Sequence, residues 1–379
     1  MDITRLMRRA GRVLTGVDRV ELAYLRALLE DAPPVFGLIR SRLGYILLDQ
    51  AGLAELVVPL SGRSASTSPE ATQSAIWPQA RALAIGRVPP FLLVAMLRRK
   101  LPAGVAYLNV GHSNLTARVL GAMRRIDAWI SVMIHDVIPL DFPEFQRAGT
   151  VAPFAAMIDR VGAHADLVIY NSEYTKERAE AYFADPPSSI VSHLGTDVVP
   201  AAPAELPPGL PETGPYFVCV GTIEPRKNHG FLLDIWAEMG ADAPGLIIAG
   251  GRGWNNDAVF ARLDALPSDG RIREVSGLSD GALAALVERS AGVLFATHAE
   301  GFGLPATEAV ARGVPVIVND LPVMREILGD IPIYASVSDR YLWINKIKEL
   351  AALGPDVQKK QPFFPPSWDA HFKTVLRLT

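Results

Sequence analysis

The chain is 379 residues long, enough for two domains and a large buried core. Its 49% hydrophobic and 20% charged content fits a soluble globular protein rather than a disordered one, and a net charge of −3 gives no basis for nucleic-acid binding. The single cysteine, Cys219, excludes an internal disulfide framework and a cysteine-built zinc site; within the apolar run YFVCVG it reads as a core thiol.

The opening MDITRLMRRAGR lacks the apolar core of a signal peptide, and no uncharged run is long enough to span a bilayer, so the cytoplasm is the expected compartment. Val20, Leu22, Ala23, Leu25, Leu28 and Leu29 form a helical stripe. Thr15 and Gly16 precede it; Gly16, without a Cβ, either lets the chain approach a phosphate or simply opens the helix. VFGLIRSRLGYILLD predicts two strands, and the Ser/Thr-rich stretch 65–73 a loop. PPFLLVAMLRRKLP, residues 89–102, fits a core helix with a basic last turn or a segment dipping into an anionic membrane surface.

VAYLNVGH, AWISVMIHD and ADLVIYNS are buried strands, each followed by a turn and a helical stretch, which predicts a parallel sheet with helices on both faces. Near residue 200 the proline-rich VVPAAPAELPPGLPETGP reads as a semi-rigid linker. YFVCVG, GLIIAG, IREVSG, GVLFAT and VPVIVN are then the strands of a second alternation. The expected organisation is a domain over 1–200, a linker over 201–215, a second domain over 216–362 and a terminal helical segment over 363–379. Two doubly wound sheets facing each other would enclose one cleft, because ligands bind outside the carboxyl ends of such strands.

The densest chemistry lies in GVLFATHAEGFGLPATEAVARGVPVIVND, residues 292–320, which reads strand, loop, helix, strand. Glu300 precedes the turn and Glu308 falls about one turn inside the helix. Gly301, Phe302, Gly303 and Leu304 would aim backbone N–H groups at the same spot, an anion site at a helix start. Acids would repel a phosphate but hold hydroxyls, and hydroxyls with phosphates on one ligand suggest a nucleotide sugar.

With these spacings, EGFGLPATEA followed by GVPVIVND resembles the retaining family 4 glycosyltransferases, which have the GT-B fold of two Rossmann-like domains facing a central cleft. VGTIEPRKNHG resembles that family's phosphate-gripping loop, with Lys227 at the usual lysine. The usual arginine falls on Thr222, a departure for which Arg226 would compensate. HDVIPLDFPEF resembles a segment of polysaccharide mannosyltransferases whose histidine contacts the donor sugar, which would be His135; on its own a histidine after a buried strand is more often structural. Asp136 fits an acceptor-side base or a turn cap. Leu278, in VSGLSD, falls where relatives seat the nucleotide base. Arg252 and Trp254, in GGRGW, are further cleft residues, with packing the simpler reading for Trp254. His112, His193 and His298 have weaker cases and show no metal-ligand spacing.

The resemblance implies transfer of a hexose with retention. Glu300 would orient the sugar, Glu308 would bind the ribose diol, and Arg226 and Lys227 would hold the diphosphate with the amides of 302–304. Neither an Asp-x-Asp metal motif nor a Walker loop is present, so no metal or other cofactor is expected. The combination leans to GDP-mannose, with UDP- and dTDP-sugars open. The acceptor would be a glycan or lipid-linked molecule, with peripheral contact to the inner membrane leaflet. The terminal segment would pack back on the first domain. Other GT-B chemistry of epimerase type and a non-catalytic donor-binding subunit are the alternatives; a phosphorylase would need a cofactor-lysine motif that is missing.

Overall fold

The computed structural model of the chain describes residues 1–31, 34–61, 68–210, 215–267, 270–353 and 363–378. They divide into two compact units: Met1–Val137, Ala152–Leu194 and Trp368–Thr379 in unit 1, Ile138–Val151 and Gly195–Ser367 in unit 2.

In unit 1 the apolar runs become β1 (Gly37–Ser41), β2 (Gly44–Leu48), β3 (Gly86–Val88), β4 (Ala106–Asn109), β5 (Trp129–Ile134), β6 (Leu167–Tyr170) and β7 (Ser189–Val191). β4 to β7 are parallel neighbours in that order. β5 and β6 are near-continuous apolar runs, as strands covered on both faces require. β1 and β2 pair antiparallel. Only Arg42 and Leu43 separate them, and a parallel pairing would need a crossover of roughly a dozen residues or more. Residues 1–3 join the hairpin to the parallel strands. Leu38 N donates to Met1 O at 2.9 Å, Ile3 N to Leu38 O at 3.0 Å and Asp2 N to Leu108 O at 2.9 Å. The strand order therefore reverses at residues 1–3, the doubly wound pattern.

Residues 68–73, expected as loop, open the helix Pro69–Ala82: Ser68 Oγ accepts from Ala71 N, and Pro69 takes the first helical position. Residues 65–67 lie outside the described residues. In the stretch 89–102 the helix Leu93–Lys100 buries Leu93, Met96 and Leu97, while Phe91 just ahead of it is exposed. Among the described residues no helix is long and apolar enough to cross a membrane. The helix Trp368–Val375 packs within unit 1, where Tyr24 Oη lies 2.6 Å from His371 Nε2.

Unit 2 holds β8 (Tyr216–Val220), β9 (Gly245–Ala249), β10 (Ile272–Val275), β11 (Gly292–Phe295), β12 (Val316–Val318) and β13 (Ile333–Tyr334), all parallel, in the order β10-β9-β8-β11-β12-β13. Phe217, Phe231, Trp236, Leu294 and Trp343 anchor its core. The order runs outward one way from β8 through β9 and the other way from β11 through β12, so the reversal falls between β8 and β11. In open α/β sheets that is where ligands bind, at the carboxyl edge.

Candidate functional site

β8 and β11 are hydrogen-bonded neighbours, Gly292 opposite Phe217 and Val293 opposite Val218, so the loops after them emerge side by side. The loop after β8 turns at Gly221, whose φ of +140° favours glycine; a Cβ there would stand 3.2 Å from Lys227 Cε. A 3-10 turn, Pro225–Lys227, then presents the two cations ahead of the helix His229–Met239. The loop after β11 is stitched to it. His298 N donates to Arg226 O at 2.8 Å, and Thr297 Oγ1 lies 3.1 Å from the same carbonyl.

Glu300 is the meeting point. Its Oε1 accepts from Lys227 Nζ at 2.5 Å and pairs with Arg226 Nη1 at 2.7 Å. Arg226 also bonds Glu224 Oε1 through Nη2 at 2.7 Å and Ala299 O through Nη1 at 2.6 Å. Two cations and two carboxylates thus share one largely buried spot. Burial alone would lift the Glu300 carboxyl, but the charges of Arg226 and Lys227 outweigh it and hold it below its ordinary 4.5. Glu300 is ionised there, and a guanidinium tied to three acceptors fixes its place. Lys227 Nζ also lies 4.7 Å over the Phe295 ring.

Downstream, Gly303 stands before the helix Leu304–Ala311 with a φ of +91° and no side-chain cap. A Cβ at Gly303 would come within 2.3 Å of Met324 Cε. Gly301 leads into this turn, and Phe302 is buried, so it offers backbone rather than ring. Leu304 starts the helix, Pro305 is its second residue, and Glu308 sits half-buried one turn in. Thr222 is half-buried in the loop after β8, its methyl against Gly253. Leu278 is half-exposed in the loop between β10 and the helix Asp280–Glu288.

Arg252 is held by carboxylates on two sides, Glu274 at 2.8 Å and Asp264 at 2.6 Å, as a surface ion network. Trp254 Nε1 donates to Phe145 O at 2.9 Å, and Phe145 stacks on His298 with centroids 5.4 Å apart.

His135 and Gly16 lie on unit 1. His135, 5% exposed, ends β5; its Nε2 is 2.6 Å from Val110 O, so that nitrogen carries the proton and Nδ1 the lone pair. Burial, then the neighbouring His112, pushes its pKa down to about 3, and the ring is neutral at pH 7. His112 is itself pushed down to about 4 by burial. The His135 carbonyl accepts from Asn171 Nδ2 at 2.9 Å. Gly16 is exposed at the head of the helix Gly16–Asp31. Beside it, Thr15 donates through N and Oγ1 to Asp18 Oδ2 at 2.7 Å each, and Arg5 and Arg9 close on the same carboxylate.

The structure brings Glu300, Arg226 and Lys227 together. Sequence reasoning missed Glu224 and Thr297, which complete the junction. Glu224 carried a signal, since two adjacent cations in EPRKN call for a nearby counter-charge; Thr297, lone at the end of an apolar run, carried none.

Residues 206–336 match the family described as Glycosyl transferases group 1. Unit 2 carries a group 1 glycosyl transferase domain. Parts of the chain are similar to curated mannosyltransferases. One is the serotype-specific mannosyltransferase WbdA of Escherichia coli, 33% identical over 239 residues, covering 57% of this chain and 29% of WbdA. Another is O-antigen chain mannosyltransferase B of Escherichia coli, 27% identical over 215 residues, 54% of this chain and 56% of that protein. The chain thus matches under a third of WbdA and just over half of the second protein. Among solved structures, Anabaena Alr3699/HepE in complex with UDP aligns over 98% of this chain and 97% of its own, with a TM-score of 0.64 at 15% identity. Sucrose-phosphate synthase from Thermosynechococcus elongatus aligns over 78% of this chain and 80% of its own, with a TM-score of 0.58 at 16% identity. The chain around the group 1 domain has the GT-B fold, two parallel-sheet α/β domains.

Proposed function

We propose that the chain is a retaining hexosyltransferase moving mannose from GDP-mannose to a glycan or lipid-linked acceptor in polysaccharide synthesis. It would work in the cytoplasm with peripheral contact to the inner leaflet. The observation that carries this reading is the contact of Glu300 with both Arg226 and Lys227 at the switch point of the unit 2 sheet. The mannosyltransferase relatives support the sugar.

In this scheme Glu300 orients the sugar through its hydroxyls and Glu308 takes the ribose diol. Lys227, Arg226 and the start of the helix Leu304–Ala311 meet the diphosphate. The bond from the anomeric carbon to the phosphate oxygen breaks, its electron pair passing to the diphosphate. The acceptor oxygen bonds on the same face, and its proton goes to the departing phosphate oxygen. Fixed cations stabilise the growing charge without a metal ion, and losing one such group typically costs on the order of 10²–10³ in rate. On unit 1, Gly16 and the neutral His135 keep the donor-side roles that the resemblance gives them.

A thermal-shift panel of GDP-, UDP- and dTDP-sugars tests the donor, because a ligand raises stability as ln(1 + [L]/Kd). GDP-mannose should give the largest shift; a UDP-sugar ahead of it would overturn the donor. Calorimetry should show Lys227→Ala and Glu308→Ala weakening GDP binding about tenfold or more, roughly one charge-assisted hydrogen bond each. Unchanged affinity would overturn the site, and binding without transfer or donor hydrolysis would leave a non-catalytic subunit.

A further inference from the structure

Unit 1 contains a cleft of about 890 Å³ that the proposed reaction does not use. Five arginines line it: Arg8 from the helix Thr4–Arg9, Arg40 from β1, Arg42 from the hairpin turn, Arg81 from the helix Pro69–Ala82 and Arg87 from β3. Neither a carboxylate nor a lysine lines it, and among the described residues none of these guanidiniums forms an ion pair. In a chain of net charge −3, five uncompensated cations around one cavity are a local excess that repels itself and favours an anion.

The walls are fixed. Gln73 Nε2 donates to Ala10 O at 2.9 Å and Met7 O at 3.3 Å, tying the helix that bears Arg81 to the one that bears Arg8. Trp77, whose Nε1 donates to Gln73 Oε1 at 3.3 Å, adds an aromatic wall. Ser41 Oγ donates to Gly44 O at 3.1 Å across the turn, and Gly44 lies so close to Val88 that a Cβ would stand 2.0 Å from its carbonyl oxygen. β1 runs parallel to residues 1–3, so Arg40 and Arg42 stand at the carboxyl edge of the unit 1 sheet.

We propose that this cleft binds a phosphate-bearing ligand, the mono- or diphosphate end of a larger molecule. The planar guanidinium fork matches phosphate oxygens two at a time, which an ammonium does not. The volume suits a ligand of this class. Two sources share that chemistry, a soluble phosphate ester and a lipid headgroup. Leu43 and Phe91, each 81% exposed, stand on segments beside the cleft and would suit the second.

The test titrates inorganic pyrophosphate into the full chain in the Lys227→Ala background, which weakens the unit 2 contribution, and every further substitution is compared within that background. Pyrophosphate should bind, the affinity should fall with added salt, and Arg81→Ser with Arg87→Ser should weaken it about tenfold or more. Both side chains are exposed, so the melting temperature should hold. An Arg→Lys pair at the same positions, retaining charge without the fork, should recover only part of the affinity. No binding, equal affinity in the Ser variant, or sulfate binding as tightly as pyrophosphate would overturn the proposal. Sedimentation with phosphatidylcholine vesicles, with and without phosphatidylglycerol, separates the sources. Capture that needs the anionic lipid and both arginines identifies a headgroup, and pyrophosphate binding without capture identifies a soluble ester.

Discussion

At the scale of single residues, Glu300 is the side chain on which most depends. Two cations reach one of its oxygens inside a largely buried junction, and removing one partner of such a cluster costs about 3–5 kcal/mol, because uncompensated charge stays behind. Glu300→Gln should therefore lower the melting temperature as well as donor binding. The Glu300 carboxyl is held below its ordinary 4.5, so its contribution is present above that pH and is lost as pH falls through the depressed value. Differential scanning calorimetry between pH 7 and 3 should show the variant losing stability less steeply below about pH 4.5 than the parent. Parallel curves would show that the ion pairs add nothing to the fold. Sequence made Glu300 and Lys227 legible through their motifs. Their contact was not legible as a distance, because it depends on β8 and β11 being neighbours, a choice made by the whole sheet.

At the scale of elements, the long apolar runs announced themselves, and β5, β6, β8, β9 and β11 lie where their periodicity placed them. β3, β7 and β13 went unseen: each has three residues or fewer, too short to show a period, and unlike the equally short β12 none was marked by a run such as VPVIVN. The helix Pro69–Ala82 was hidden by Ser/Thr-rich composition although Ser68 and Pro69 spell a cap and a first turn. The turn into the helix Leu304–Ala311 shows the reverse, where sequence grammar and geometry agree. Gly303 has a φ of +91°, and a methyl group there would meet Met324 within 2.3 Å. Gly303→Ala should cost about 1–3 kcal/mol from backbone strain alone, and more if Met324 cannot move. Guanidinium-chloride unfolding measures the loss. A variant as stable as the parent would mean that the turn relaxes into another conformation.

At the scale of the whole molecule, neutral histidines packed away from water govern the response to acid. His112 and His371 in unit 1 and His229 in unit 2 are pushed down to about 4, and His135 to about 3, in each case first by burial. Each takes up a proton near its ordinary 6.5 only after unfolding, so the unfolded chain binds more protons below that value and stability falls as pH drops. By pH 5 each such group costs roughly 1–2 kcal/mol, and four together approach the 5–15 kcal/mol that holds a typical domain folded. His371 isolates the effect, since no reaction step uses it. Its Nδ1 lies 3.0 Å from His193 O and takes the proton, so Nε2 must accept from Tyr24 Oη. A proton on Nε2 would force the buried Tyr24 hydroxyl to turn and accept, so that its own proton loses its acceptor. Melting temperature should therefore fall steeply from pH 7 to 5, and less steeply in His371→Gln, even though the variant is the less stable at pH 7. A melting temperature that stays flat over that interval would mean the histidines gain water, and protons, while the chain is still folded.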